Sequence, residues 1–214
     1  MVIKMNRNQN SLNDFKNTPI GFLPEEWDIV GLGDVAELIM GQSPPGNTYN
    51  EIGDGVPFLQ GKTEFGSINP KHIKYTTKPL KIAPEGSVLI SVRAPVGDVN
   101  IADINYCIGR GLAALCLRDG GNLFLFYILN FLKPEIEKEG TGSTFKAIRK
   151  DILKTFQIPL PPLPEQREIA EILKTVDEKI EIEQKKKETY EELFKTLLNK
   201  IMSQKIDVEK IQSG

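Results

Sequence analysis

Residues 158–164 read Ile158-Pro159-Leu160-Pro161-Pro162-Leu163-Pro164, and this stretch divides the chain. Four prolines in six residues remove backbone donors and lock φ, so the segment suits neither a helix interior nor a central strand. It reads as a stiff extended connector. Just beyond it, Pro164 suits a first helical turn and Glu165 complements the positive end of the helix dipole. No proline or glycine recurs until Gly214. One long helix over about 164–203 is expected, on the order of 60 Å at 1.5 Å per residue.

Heptads counted from Leu173 place Leu173, Val176, Ile180, Glu183, Lys187, Tyr190, Phe194, Leu197 and Ile201 on one seam, of which seven of nine are apolar or aromatic. An isolated rod would leave that seam in water, so a partner helix is expected. Glu183 and Lys187 interrupt the seam at its middle. In an antiparallel pair of identical helices they would face each other across the two-fold axis as opposite charges. Packing of the helix against its own domain is the competing reading.

Upstream of the connector, short β-like runs alternate with Gly and Pro punctuation at 27–30, 56–60, 87–92, 105–118 and 155–159. Helical patterning is found at 32–39 and more strongly at 122–139, with Asn122 as the expected cap. The fold class is therefore α+β: a mixed, strand-rich domain over 1–158, then connector and long helix over 159–214. The 214 residues, 40% hydrophobic and 26% charged, suffice for a genuine core without disulfides or metal. The longest apolar stretch, 123–132, falls short of a bilayer crossing, and residues 1–17 have no apolar export region. A cytoplasmic protein without membrane association is expected.

Chemistry-bearing motifs are sparse. Cys107 and Cys116 lack metal-ligand spacing and read as buried thiols, and His72, the sole histidine, cannot form a histidine-based triad or zinc helix by itself. No metal site and no catalytic residue is assigned. Gly61-Lys62-Thr63 resembles the end of a phosphate loop, but the first glycine is out of place and no helix follows. Gly31-Leu32-Gly33-Asp34-Val35-Ala36 matches a dinucleotide fingerprint, yet the turn Gly41-Gln42-Ser43-Pro44-Pro45 interrupts the unit such a site needs.

Charge distribution is more informative. The net charge is −2, and the residues from 159 onward supply all of it. Within 58–81, Lys62, Lys71, Lys74, Lys78 and Lys81 oppose Glu64 alone, with His72 beside them. Residues 140–150 gather Gly140, Gly142, Thr141, Ser143, Thr144, Lys146, Arg149 and Lys150, whose hydroxyls and cations suit phosphate oxygens. A solvated basic turn fits those residues equally well. Arg93 and Arg110 read either as bidentate contacts to guanine or as structural arginines at a strand edge. The electrostatic candidates for phosphate or base contact are Ser43, Lys62, Lys71, His72, Lys74, Arg93, Thr144, Lys146, Arg149 and Lys150.

From Ile158 through Pro164-Glu165-Gln166-Arg167-Glu168-Ile169-Ala170, followed by Leu173 and Asp177, the sequence resembles the specificity subunits of Type I restriction-modification enzymes. Gly21-Phe22-Leu23-Pro24-Glu25-Glu26-Trp27, Leu32-Gly33-Asp34-Val35, Gly41-Gln42-Ser43-Pro44, Gly86-Ser87-Val88-Leu89-Ile90-Ser91 and Gly142-Ser143-Thr144-Phe145-Lys146 extend the likeness over nearly the whole sequence. The resemblance implies a target recognition domain up to about 158 and a conserved spacer helix beyond. It also implies double-stranded DNA, methyltransferase subunits and restriction/translocase subunits as partners. This chain would need no cofactor; S-adenosylmethionine, ATP and Mg would serve the partner subunits. Family members usually contain the unit twice and this sequence contains it once, so a homodimer reading a palindromic bipartite site is expected. Competing readings are a stand-alone DNA-binding regulator or recombination cassette, and a coiled-coil scaffold.

Overall fold

The computed structural model describes residues 15–18, 21–140 and 147–203. The chain divides into two compact units, residues 1–170 and 171–214. The first is built on two sheets. An antiparallel sheet has the order β10-β9-β12-β4, with β4 at Ala36–Met40, β9 at Val88–Ser91, β10 at Val99–Ile101 and β12 at Leu112–Leu117. A mixed sheet has the order β5-β7-β6-β11-β8, with β5 at Tyr49–Asn50, β6 at Val56–Leu59, β7 at Tyr75–Thr76, β8 at Ile82–Ala83 and β11 at Tyr106–Ile108. In it β6 and β11 run parallel, Cys107 opposite Phe58. Two ribbons complete the strands among the described residues: β1 (Phe15–Thr18) with β2 (Gly21–Pro24), and β3 (Asp28–Gly31) with β13 (Gln157–Leu160).

The runs Val88-Leu89-Ile90 and Leu112-Ala113-Ala114-Leu115 are apolar at consecutive positions because both faces of their sheet are covered. Val88, Ile90, Ala113 and Leu115 pack with Leu125, Phe126, Leu129 and Ile136 from the helices α2 (Asn122–Phe131) and α3 (Lys133–Glu139). Leu89, Leu112 and Ala114 turn the other way, onto Leu59, Tyr106 and Ile108 of the mixed sheet. A period of two thus sorts one strand's side chains into two cores. Each fully buried Leu or Ile contributes about 1.5–3 kcal/mol relative to exposure.

Several local expectations are corrected. The stretch 32–39 is not one helix: α1 covers only Leu32–Val35, and Ala36 passes into β4, where Ala36 and Leu38 reach the core. Residues 105–118 form two strands, broken by the turn that carries Gly109, Arg110 and Gly111. Residues 122–139 form two helices, with Pro134 in the first turn of the second. Asn122 does not cap α2. Its Oδ1 accepts from the Leu117 N–H at 2.7 Å and its Nδ2 donates to the Gly86 carbonyl at 2.8 Å, tying the helix to the sheet instead. The start of the expected last strand is helical, α4 covering Lys150–Thr155. Pro159 sits in β13, a strand paired only with β3, where a missing N–H is tolerated.

The long helix α5 spans Leu163–Met202. Its beginning is fastened within the first unit: the Trp27 indole N–H donates to Glu165 at 3.1 Å, and Gln166, 5% exposed, donates to the Pro161 carbonyl at 2.8 Å. In the second unit the seam side chains are exposed, with Val176, Ile180, Tyr190 and Phe194 at 49–68%. Ile172, Ile182, Leu193, Leu198 and Met202 are exposed as well, so the apolar stripe is broader than the heptad reading drew it. Lys174–Glu178 and Glu181–Lys185 ion pairs occupy the opposite side of the helix, as four-residue spacing allows. Glu183 pairs with Lys186 of its own helix at 2.8 Å, and Lys187 lies 4.0 Å from Glu191. Among the described residues no helix is long and apolar enough to cross a membrane.

Candidate nucleic-acid interface

The chain leaves β4, β6, β9 and β11 at one common edge, and backbone bonds stitch the departing loops together. Gly41 N–H donates to the Leu112 carbonyl and Gln42 N–H to Ile108, both at 2.9 Å. Gly109 N–H donates to Leu59 at 2.8 Å and Val92 N–H to Gly111 at 2.9 Å. Ile148 N–H donates to Val92 at 2.9 Å, and Arg93 forms a bridge with Ala147. Residues 41–43, 60–62, 92–98, 109–111 and 147–149 are therefore one surface drawn from five separate parts of the sequence.

Close backbone approach makes this edge possible. A Cβ on Gly41 would lie 2.1 Å from the Gly109 carbonyl oxygen, and one on Gly111 would lie 2.7 Å from that of Gln60. Only glycine fits such contacts. Ser43 Oγ accepts the Arg110 N–H at 3.3 Å and fixes the apex of the turn. On the neighbouring loop, Ser91 Oγ donates to the Pro95 carbonyl at 2.9 Å and accepts from Asp98 N–H at 3.0 Å. Gly97 adopts φ +88° where that loop turns back.

The edge is cationic. Arg93, Arg110, Arg149 and Lys150 are exposed on it, and Lys62 joins them through Asp98. The Asp98 carboxylate bridges Lys62 at 2.8 Å and Lys133 at 2.7 Å. Burial pushes its pKa upward, but hydrogen bonds and charge from Lys133 and Lys62 outweigh that and hold it below the ordinary aspartate value. The same bond to Asp98 raises Lys133, against a smaller opposing effect of burial. A carboxylate depressed in the folded state gives stability that is complete above its unfolded pKa and disappears as pH falls through the folded one. The stability difference between the native chain and Asp98→Asn is accordingly expected to be largest at neutral pH and to shrink below about pH 4. Urea midpoints at pH 7 and pH 3 measure it, and a difference that does not change with pH would remove Asp98 from the clamp.

The sequence candidates separate on this framework. Ser43, Lys62, Arg93, Arg149 and Lys150 come together at the edge. Ser43 is half-buried, and its hydroxyl is already engaged by the Arg110 backbone. Arg149 pairs with Asp151 at 3.4 Å. Lys71 and Lys74 enter through backbone bonds, Lys71 N–H to the Glu64 carbonyl and the Lys74 carbonyl from Phe58 N–H. His72 is bonded to Tyr106 and lies 3.6 Å from Asp103, away from the Ser43–Arg110 turn. Tyr106 donates its single hydroxyl proton to Asp103 at 2.6 Å, so its oxygen is left to accept from His72 Nε2. Burial and the Asp103 carboxylate push the Tyr106 pKa far upward. Thr144 and Lys146 lie outside the described residues. Arg110, which the charge count passed over because it stands alone in sequence, belongs to the edge. The flanking glycines were the available signal.

Residues 24–192 match the family model for the Type I restriction modification DNA specificity domain. The sequence is 51% identical over 199 residues to a putative type I restriction enzyme MjaX specificity subunit of Methanocaldococcus jannaschii, covering 91% of this chain and 47% of that protein. It is 30% identical to the MjaIX specificity subunit of the same organism, over 85% of this chain and 46% of that one. Among solved structures, the HsdS subunit from Thermoanaerobacter tengcongensis superposes with a TM-score of 0.66 at 45% identity, covering 79% of this chain and 42% of that subunit. A chain from a structure on complex assembly and conformational transition of the type I R-M system gives 0.72 at 44% identity, with 87% and 47% covered. The chain spans about half the length of the curated relatives it matches.

Proposed function

The chain belongs to the Type I restriction-modification DNA specificity family, and we propose from this that it is the non-catalytic sequence reader of such a system. It directs methyltransferase and restriction/translocase subunits to a bipartite target on double-stranded DNA. The observation that carries this reading is the edge where Ser43, Lys62, Arg93, Arg110 and Arg149 are gathered on mutually bonded loops. Cations on such supports meet phosphates for affinity and base edges for specificity. Residues 1–158 form the recognition domain and 159–214 the connector and spacer helix. Lys71, Lys74, Thr144, Lys146 and Lys150 add phosphate contacts, while the His72 ring is kept to its bond with Tyr106.

Two copies make the functional unit. The exposed stripe from Leu173 to Met202 is covered by its symmetry mate in an antiparallel pair, with Glu183 and Lys187 exchanging partners across the axis. Two-fold symmetry then makes the target a palindrome of two identical half-sites around an unread spacer. Co-expression with a methyltransferase of the same system, followed by sequencing of the methylated adenines, tests the reading. A palindromic bipartite motif is expected. An asymmetric motif would refute the homodimer, and no methylation beyond that of the methyltransferase alone would refute the reader. Specific DNA binding without associated enzyme subunits would favour the stand-alone regulator.

A further inference from the structure

We propose that Arg93 and Arg110 act as a pair that reads guanine and so fixes part of the base sequence of each half-site. This rests on the DNA-reading role proposed above and goes further, by assigning the bases. The bond from Val92 N–H to the Gly111 carbonyl continues the β9–β12 ladder beyond Ser91 and Leu112. Arg93 and Arg110 are each one residue past that bond, on the two backbone segments it joins. Both are exposed, and among the described residues neither side chain has an ion pair.

The other described arginines of residues 1–158 are satisfied locally. Arg118 donates to the carbonyls of Asp34 and Gly33, and Arg149 pairs with Asp151. Asp98, the carboxylate of the loop that carries Arg93, is occupied by Lys62 and Lys133. Among the described residues no carboxylate forms an ion pair with either guanidinium, so both exposed forks can take an external acceptor.

The mounting indicates which acceptor. Arg110 stands between two glycines packed against the backbone of residues 41 and 60, with its own N–H held by Ser43. Arg93 is fixed on one side by the bridge to Ala147 and follows a loop stem organised by Ser91. A planar fork on a rigid mount suits acceptor pairs of fixed geometry, and guanine O6 and N7 in the major groove are such a pair. The exposed lysines nearby are flexible point charges, sufficient for phosphate.

Selection of bound duplexes from a randomised pool by the full chain tests this. The native protein is expected to enrich G·C pairs at defined positions. Arg110→Ala and Arg93→Ala should each lose about five- to 150-fold preference at one of them, with the salt dependence unchanged. Arg110→Lys should recover affinity but only part of the preference. Two results would overturn the pair: a motif without an invariant G·C pair, or variants that keep the motif while weakening for every sequence with a shallower salt slope, as phosphate contacts would. Failure of the native chain to enrich any motif would instead strike the DNA-reading function itself.

Discussion

Leu197→Asp is expected to turn a dimeric chain into monomers in size-exclusion chromatography with light scattering. Leu197 is 43% exposed in the single chain and stands on the stripe with Tyr190, Phe194 and Ile201. Covered by a symmetry mate, each such side chain contributes up to about 1.5–3 kcal/mol. An aspartate there must either carry its charge into a desolvated seam or hold the helices apart, and an unpaired polar group costs several kcal/mol when water is excluded. Symmetry doubles the lesion, because every substitution enters the interface twice. Lys185→Ala, on the salt-bridged side of the helix, should leave the dimer intact. The charge pair gives a finer test. Glu183→Lys sets like charges across the axis and weakens the dimer, while Glu183→Lys with Lys187→Glu restores opposite signs. A native chain that runs as a monomer at micromolar concentration, or a Leu197→Asp variant of unchanged mass, would end the antiparallel pairing.

The long helix was legible because its signal is local: a proline block, a clean start and nearly forty residues without a breaker. The strand-rich character of the first domain was legible for a related reason, since buried strands leave apolar runs between glycines. Boundaries failed where tertiary packing overrode pattern. Residues 36–39 carry a helical spacing of apolar side chains, yet β4 pairs along its whole length with β12, and that ladder decides the conformation. Residues 105–118 looked like one strand because nothing in their composition announces that Gly109 and Gly111 must admit the backbone of residues 41 and 60. The same long-range contacts hid Arg110 from the candidate site. The basic count from 58 to 81 found Lys62 through local density, and it included His72, whose nitrogen is bonded to Tyr106. Isolated in sequence, Arg110 meets Ser43 only because strands 67 residues apart end side by side.

Gly41→Ala is expected to be the most damaging conservative substitution at the proposed DNA-contacting edge. Gly41 does not have the positive φ that favours glycine, so the penalty is steric and arises entirely from its neighbour. The new methyl would lie 2.1 Å from the Gly109 carbonyl oxygen and 2.9 Å from that of Ile108, both of them backbone atoms that cannot rotate away. Relief requires moving the 109–111 turn, which strains the bonds from Gln42 N–H to Ile108, from Gly109 N–H to Leu59 and from Arg110 N–H to Ser43. Overpacking of this kind costs about 1–3 kcal/mol and occasionally more, which urea unfolding of the full chain would record as a lower midpoint at unchanged slope. The displaced turn carries Arg110, so target selectivity should fall further than non-specific affinity, and Gly46→Ala, whose Cβ meets nothing within 4 Å, should change neither. A Gly41→Ala variant with native stability and native sequence preference would mean that the loops at this edge do not depend on that contact, and the site built on it would have to be redrawn.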